Sequence, residues 1–549
     1  MDAFCAALHA QRARKRAATG RDLFVWDGEL YLETHRGTLT TQAWLKRANA
    51  RAERRLRAIE ILLASAPDPA VARELAPGLD AAWEVVLLHQ FHDILPGSSI
   101  AAVYDDARAA YAALEAELDE FLAAAARALA ARADLRGRAA PLLVLNPCAH
   151  RRSAVVRWGE RRLFLPDLPG LGALVADGAA EGVDPEGGVE TTPRSLRNAH
   201  LSATFDAAGR LVDLRARALD RPVNAVGPDG AALAIDRLVA YADRPRRWEA
   251  WNVDEDYTDR AEAVDGPPEA VEVVEARPLR GTIEVRRRFR ASTLVQRTSL
   301  DAGARHLEVE LFADWREERT LLRALFPTAI RARHATCGIQ FGHLLRATHR
   351  NTSWDAARFE VPGHRWMDLS QPGLGLAVLD DGIYGRSCHE NVLGLSLLRS
   401  PSFPDPGADR GEHTMRYGLH PHGGDWRAAG VPRATDEFAE GTVVVPLAGL
   451  AGGAEAELPR PFDLVLEEGD VEVACFKPAE DGRGRILRLV ERHGGLARGR
   501  ILWRGSAPAV RPVDLLERPA TAAEEARAED GATRFVLRPF RILSLRVGS

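Results

Sequence analysis

Between Thr41 and Leu63, apolar residues recur every three or four positions: Leu45, Ala48, Ala52, Leu56, Ile59 and Leu63, with arginine and glutamate between them. That period lays one apolar stripe along a helix. Thr40 or Thr41 supplies an N-cap, and the APDP sequence at 66–69 stops the helix. A second helix is predicted from about Leu79 to Asp93, broken at Pro96-Gly97. Ser98 or Ser99 then caps a long third helix carrying Ile100, Val103, Tyr104, Ala107, Tyr111, Leu114, Leu118 and Phe121 on one face. Three amphipathic helices on short connections make an antiparallel bundle. Ahead of them, DLFVWDGELYLE at 22–33 alternates, which suggests a short strand or extended segment. Residues 1–20 lack the strand or helix that usually opens a domain.

After about residue 137 the period changes. Short apolar or alternating runs (PLLVLN, SAVVRW, GTIEVRRRF, HLEVELFADW, LGLAVLD, GTVVVPLAG, VEVACF, FVLRPFRILSLRV) are punctuated by Gly, Pro and Asp. Many strands at irregular spacing predict β-sandwiches. The stretch is too long for one, so a small β domain, a very large sandwich and a C-terminal sandwich are expected. The segment TAAEEARAEDGAT at 521–533 reads as an exposed loop. The fold class is multidomain α+β: a three-helix bundle followed by large antiparallel β-sandwich domains of super-sandwich type.

Composition changes this picture little. A chain of 549 residues is too long for one core, so roughly two to four domains are expected. The net charge of −5 gives no electrostatic ground for nucleic acid or an acidic membrane surface as partner. Five scattered cysteines without a CxxC pair argue against a disulfide framework and a cysteine zinc site. No run approaches the roughly 18 apolar residues of a membrane span, and the N-terminus has no signal-peptide order. The expected location is cytoplasmic.

Three polar clusters carry candidate chemistry. His92 and Asp93 face the Pro96-Gly97 turn, with His89 three residues earlier, a spacing that makes a two-histidine metal half-site geometrically possible. The plainer alternative is a pair of polar residues packed at a bundle end. Glu29 and Glu33 offer a carboxylate pair, or else a corner in which Arg36 meets a carboxylate. Tyr384, His389, Asn391, Asp405, Asp409, Arg410, Glu412 and His413 crowd a turn-rich stretch of the β region. Binding residues collect on such loops, and a solvated loop is the alternative.

The segments WDGELYLETHRGTLTTQAWLKRANARAE, WEVVLLHQFHDILPGSSIAAVYDDA and, later, IQFGHLLRATHRNTSWDAARFEVPGHRWMDLSQPGLGLAVLDDGIYG and NVLGLSLLRSPSFPDPGADRGEHTMRYGLHPHGGDW occur in this order. Together they resemble the central and C-terminal regions of family 38 glycoside hydrolases, the α-mannosidases, closest to the cytosolic/vacuolar branch. The resemblance implies that the QFHD histidine, here His92, is a zinc ligand and that Asp93 contacts a sugar hydroxyl. It also implies that Arg410 corresponds to a loop residue reaching toward the sugar site. Position 89, usually Asn in the family, is His here and is not expected to be a ligand. In the family the metal is completed by a His-x-Asp pair and by the nucleophilic aspartate of an N-terminal barrel, and hydrolysis proceeds with retention.

None of the sixteen histidines stands in a His-x-Asp pair. The chain is therefore expected to be the C-terminal half of an α-mannosidase, with zinc (or another divalent ion such as cobalt) as cofactor and no catalytic residue of its own. Residues 1–28 would end the catalytic domain, 29–136 form the bundle, 137–195 a small β domain or linker, 196–455 the large sandwich and 456–549 the C-terminal sandwich. Its partners would be a mannose-containing oligosaccharide and a separately encoded N-terminal catalytic half. The N-terminal face of the bundle, lacking its covering domain, should show an unusual apolar patch. The rival function is a non-catalytic carbohydrate-binding or scaffolding remnant.

Overall fold

The computed structural model describes residues 1–180, 187–450, 452–455, 457–520 and 525–548. The chain divides into two compact units, Met1–Glu33 and Thr34–Ser549. The smaller unit opens with a helix, α1 (Asp2–Thr19), none of whose residues is buried. Alanine and arginine favour a helix without any apolar stripe, which is why periodicity found none there. The helix ends on Gly20, whose left-handed backbone lets its N–H reach the Arg16 carbonyl. Arg12 holds Asp22 with two bonds of 2.7 and 2.8 Å. Residues 22–32 form no strand; the Trp26 indole N–H closes a turn on the Glu29 carbonyl at 2.9 Å.

The larger unit starts with three helices: α2 (Ala43–Ser65), α3 (Ala70–His89) and α4 (Ala101–Ala130). The stripe Leu45, Ala52, Leu56, Ile59 and Leu63 is buried, as are Tyr104, Ala107, Tyr111, Leu114 and Leu118. Helix α3 begins well before Leu79 and runs through Pro77, which lies exposed on its surface. Neither threonine nor serine caps the helices as expected: Gln42 precedes α2 in a left-handed conformation and Ile100 precedes α4, both without a side-chain cap.

The β region contains a nine-stranded and a six-stranded antiparallel sheet. In the larger sheet the strand Gly411–His422 lies between Leu307–Trp315 and Leu374–Asp380. In the smaller, Thr320–Pro327 lies between Arg237–Ala242 and Val392–Arg399. Both sheets feed one core that includes Val309, Leu311, Phe326, Leu376, Leu395 and Tyr417. Two four-stranded sheets form the C-terminal sandwich, and its core runs without a break into the bundle, from Leu56 and Leu118 to Val473, Phe476, Leu487 and Leu545. The strand Pro141–Asn146 is flanked by Gly172–Asp177 on one side and by Val443–Pro446 on the other. Within 521–533, residues 521–524 lie outside the described residues; the remainder is not a loop but includes the strand Ala526–Glu529, paired with Ala532–Leu537. Among the described residues no helix is long and apolar enough to cross a membrane.

Candidate functional site

Helix α3 stops at His89, and the chain continues in overlapping turns. Phe91 N–H bonds the Leu88 carbonyl at 3.1 Å, Ile94 N–H the Phe91 carbonyl at 2.9 Å and Gly97 N–H the Ile94 carbonyl at 3.0 Å. His92 and Asp93 thus lie on a turn beyond the helix, not at its end. Gly97 has φ 89°, and a Cβ there would meet the Thr41 carbonyl oxygen at 2.4 Å. Only glycine lets the turn lie this close to the chain entering α2.

The turn is pinned at its backbone. The Asp93 carbonyl accepts the Ser99 hydroxyl at 2.6 Å, Ser99 N–H donates to the Tyr104 hydroxyl at 2.8 Å, and the Lys46 ammonium donates to the Leu95 carbonyl at 2.8 Å. The side chains of His92 and Asp93 point outward, 77 % and 52 % exposed, with Nε2 and Oδ2 3.5 Å apart. The Phe91 ring lies 4.2 Å from that of His92. Leu87, Leu88, Phe91 and Ile100, in or next to this turn, are all more than half exposed.

His89 does not share this surface. It is buried, its Nδ1 lies 2.7 Å from the Val85 carbonyl, and its ring packs 5.0 Å from Tyr111. The geometrically possible two-histidine half-site is therefore not formed. Glu29 and Glu33 belong to the Met1–Glu33 unit, whereas Arg36 donates to the Ala357 carbonyl at 2.6 Å and covers the Phe359 ring.

The polar stretch 384–413 is largely structural. Gly385–His389 and Val392–Arg399 are strands of the six-stranded sheet. Asn391 is paired through its backbone with Thr328, and Tyr384 stacks on His364. Asp405 accepts the Gln42 side-chain amide at 2.6 Å. Asp409 accepts the backbone N–H groups of Gln42 and Ala43 at 2.8 and 2.7 Å, and His413 lies 3.0 Å from the Asp409 carbonyl. Arg410, next in sequence, projects to the surface and bonds Glu318 at 3.0 Å.

Sequence reasoning missed Lys46, Asp409 and Tyr104 as supports of the turn. One signal was present: the chain has three lysines against seventy arginines, so a lysine in α2 marks a place where a compact ammonium is required. Burial lowers the Lys46 pKa to about 7 and raises that of the Asp409 carboxyl to about 6, each shift opposed by the other's charge.

Zinc takes about four ligands. Among the described residues no group of three or more His, Cys, Asp or Glu side chains comes together to hold a metal ion. His92 with Asp93 does not by itself fit a zinc site.

Comparison with known proteins follows the same division of the chain. Residues 33–129 match the α-mannosidase middle domain, and residues 196–407 match the glycosyl hydrolases family 38 C-terminal domain. Alpha-mannosidase 2C1 of Homo sapiens is 35 % identical over 545 residues, 95 % of this chain and 50 % of that protein. Alpha-mannosidase G of Dictyostelium discoideum is 29 % identical, over 86 % of this chain and 48 % of its own length. The chain thus spans about half the length of the curated relatives it matches. The crystal structure of an alpha-mannosidase from Enterococcus faecalis V583 superposes with a TM-score of 0.75 at 14 % identity, over 93 % of this chain and 68 % of that one, which shows a shared fold. With the helical bundle in the middle-domain span and the paired large sheets beginning in the C-terminal-domain span, the chain belongs to glycosyl hydrolase family 38 and carries its middle and C-terminal domains.

Proposed function

We propose that the chain is the middle and C-terminal part of an α-mannosidase that hydrolyses terminal α-mannosyl residues of oligosaccharides by a retaining, metal-assisted mechanism. His92 is one ligand of zinc, or of another divalent ion such as cobalt; Asp93 receives a sugar hydroxyl; Arg410 reaches the sugar from the large sandwich. The other ligands and the nucleophile come from a separate catalytic segment, and the chain alone is inactive. Among the described residues no cysteine is in a disulfide, which suits a reducing compartment, and a cytoplasmic location belongs to the proposal.

The observation that carries it is the outward pair His92–Asp93 on a pinned turn beside four exposed apolar side chains. A structural histidine is buried and bonded, as His89 is; the His92 side chain is 77 % exposed. Exposed apolar groups around a polar pair mark a surface that another domain covers.

The test combines the purified chain with a separately produced α-mannosidase catalytic segment bearing a His-x-Asp pair. Zinc uptake and hydrolysis of an aryl α-mannoside are measured for each part and for the mixture. Hydrolysis is expected only in the mixture, and His92→Ala should remove both activity and bound zinc. Turnover by the chain alone, or a mixture whose zinc content ignores His92→Ala, would refute the proposal.

A further inference from the structure

We infer that Lys46 and Asp409 are positioning residues: together they fix the turn bearing His92 and Asp93 against the loop bearing Arg410. The inference rests on the functional proposal only in calling this surface sugar-facing.

The path between the two is short and continuous. Arg410 is joined by a peptide bond to Asp409, whose carboxylate holds the first amides of α2, at Gln42 and Ala43. Thr41 stands one residue before Gln42, and its carbonyl takes the Lys46 ammonium at 2.5 Å. The same ammonium holds the Leu95 carbonyl at 2.8 Å, two residues past Asp93. Gly97 completes the contact by lying against Thr41. The links from Asp409 to Gln42 and Ala43 and from Lys46 to Thr41 join buried groups, and the one to Leu95 is part-buried, so the path has little freedom to stretch.

Two features separate this arrangement from ordinary helix capping. A local cap from Ser, Thr, Asp or Asn would satisfy the α2 amides without involving another domain. Here the acceptor comes from the large sandwich. Both Gln42 and Asp409 adopt left-handed backbone angles, φ 58° and 55°, which cost energy for residues other than glycine. Lys46, for its part, is buried, and its ammonium joins two carbonyls from different segments. A guanidinium has a planar fork where these carbonyls converge on one point, so arginine cannot replace it. Tyr257, Arg323 and Glu360 form another buried polar group in this unit, within the large sandwich.

The experiment is amide hydrogen exchange on the full chain, comparing wild type, Lys46→Gln, Lys46→Arg and Asp409→Asn. Both Lys46 variants are expected to speed exchange in peptides covering 91–97 about tenfold or more, while peptides of the C-terminal sandwich keep the wild-type rate. The His92 ring resonance, identified by its loss in His92→Ala, should shift or broaden in Lys46→Gln. A purely structural role would lower the melting temperature without this local signature. If a Lys46 or Asp409 variant does not fold, Ser99→Ala removes a single hydroxyl from the Asp93 carbonyl and should give the same local acceleration at lower amplitude. Unchanged exchange at 91–97 together with an unmoved His92 resonance overturns the inference. Accelerated exchange in a chain whose mixture takes up zinc regardless of His92→Ala supports the clamp and removes only the functional proposal.

Discussion

His89 and His92 stand three residues apart and face opposite ways: the His89 ring is buried against Tyr111, while the His92 side chain is exposed beside Asp93. His89→Ala is expected to destabilise the bundle by about 2–3 kcal/mol, through lost packing and a lost bond to the Val85 carbonyl. His92→Ala should fall within about 0.5 kcal/mol of wild type, as surface changes do. Urea unfolding followed by far-UV circular dichroism separates them; equal effects would mean that the two environments are misassigned.

Gly97→Ala should lower stability by about 1–3 kcal/mol, because the added carbon meets the Thr41 carbonyl and the left-handed backbone disfavours it. The loss should be accompanied by changed amide shifts at Thr41 and Leu95. A variant as stable as wild type would show that the turn is free to move off α2.

Asp236 gives the large sandwich a pH dependence of known sign. Its carboxylate is buried, accepts the Tyr417 hydroxyl and the Gln296 side-chain amide at 2.6 Å each, and burial raises its pKa to about 7. A folded-state value above the unfolded one, near 4, gives stability that is present below pH 4 and lost as pH rises through about 7. The loss is of order 4 kcal/mol. Asp236→Asn should abolish this component, so the difference between variant and wild type grows in the variant's favour from pH 5 to pH 8. Parallel stability curves would contradict it.

The exposed apolar residues at the bundle end should govern solubility without contributing to the fold. Leu88→Asp with Phe91→Ser is expected to reduce light scattering at high concentration and to leave the melting midpoint nearly unchanged. The same pair should weaken association with a catalytic segment. A large drop in melting temperature would show that these side chains are packed.

Much of the bundle was legible because its apolar residues repeat with the helical period, and the buried stripes of α2 and α4 are the ones the spacing picks out. Helix α3 was placed too late along the chain: it begins at Ala70, runs through the exposed Pro77 and stops at His89, four residues before Asp93. The β region was legible as a class, from run length and turn residues, but not its pairing. The capping of α2 was not legible at all: its acceptor, Asp409, is 366 residues from Ala43, beyond any local window. The site divides the same way. His92 and Asp93 stand out in a motif, and Arg410 next to Asp409 in a loop. What orients them is a set of bonds from Lys46, Ser99 and Asp409 to backbone groups, which no local pattern announces.

The returning strand Val443–Pro446 also sets a clock on folding. Pro141–Asn146 finds Gly172–Asp177 soon after it is made, but its other edge stays open until Val443–Pro446 arrives, about 300 residues later. At roughly 5–20 residues per second, synthesis leaves that edge bare for on the order of 15–60 s. An unpaired apolar edge recruits any neighbouring strand. The nascent chain is therefore most vulnerable to misassembly while the large sandwich is being translated, and slower translation of that stretch lengthens the exposure.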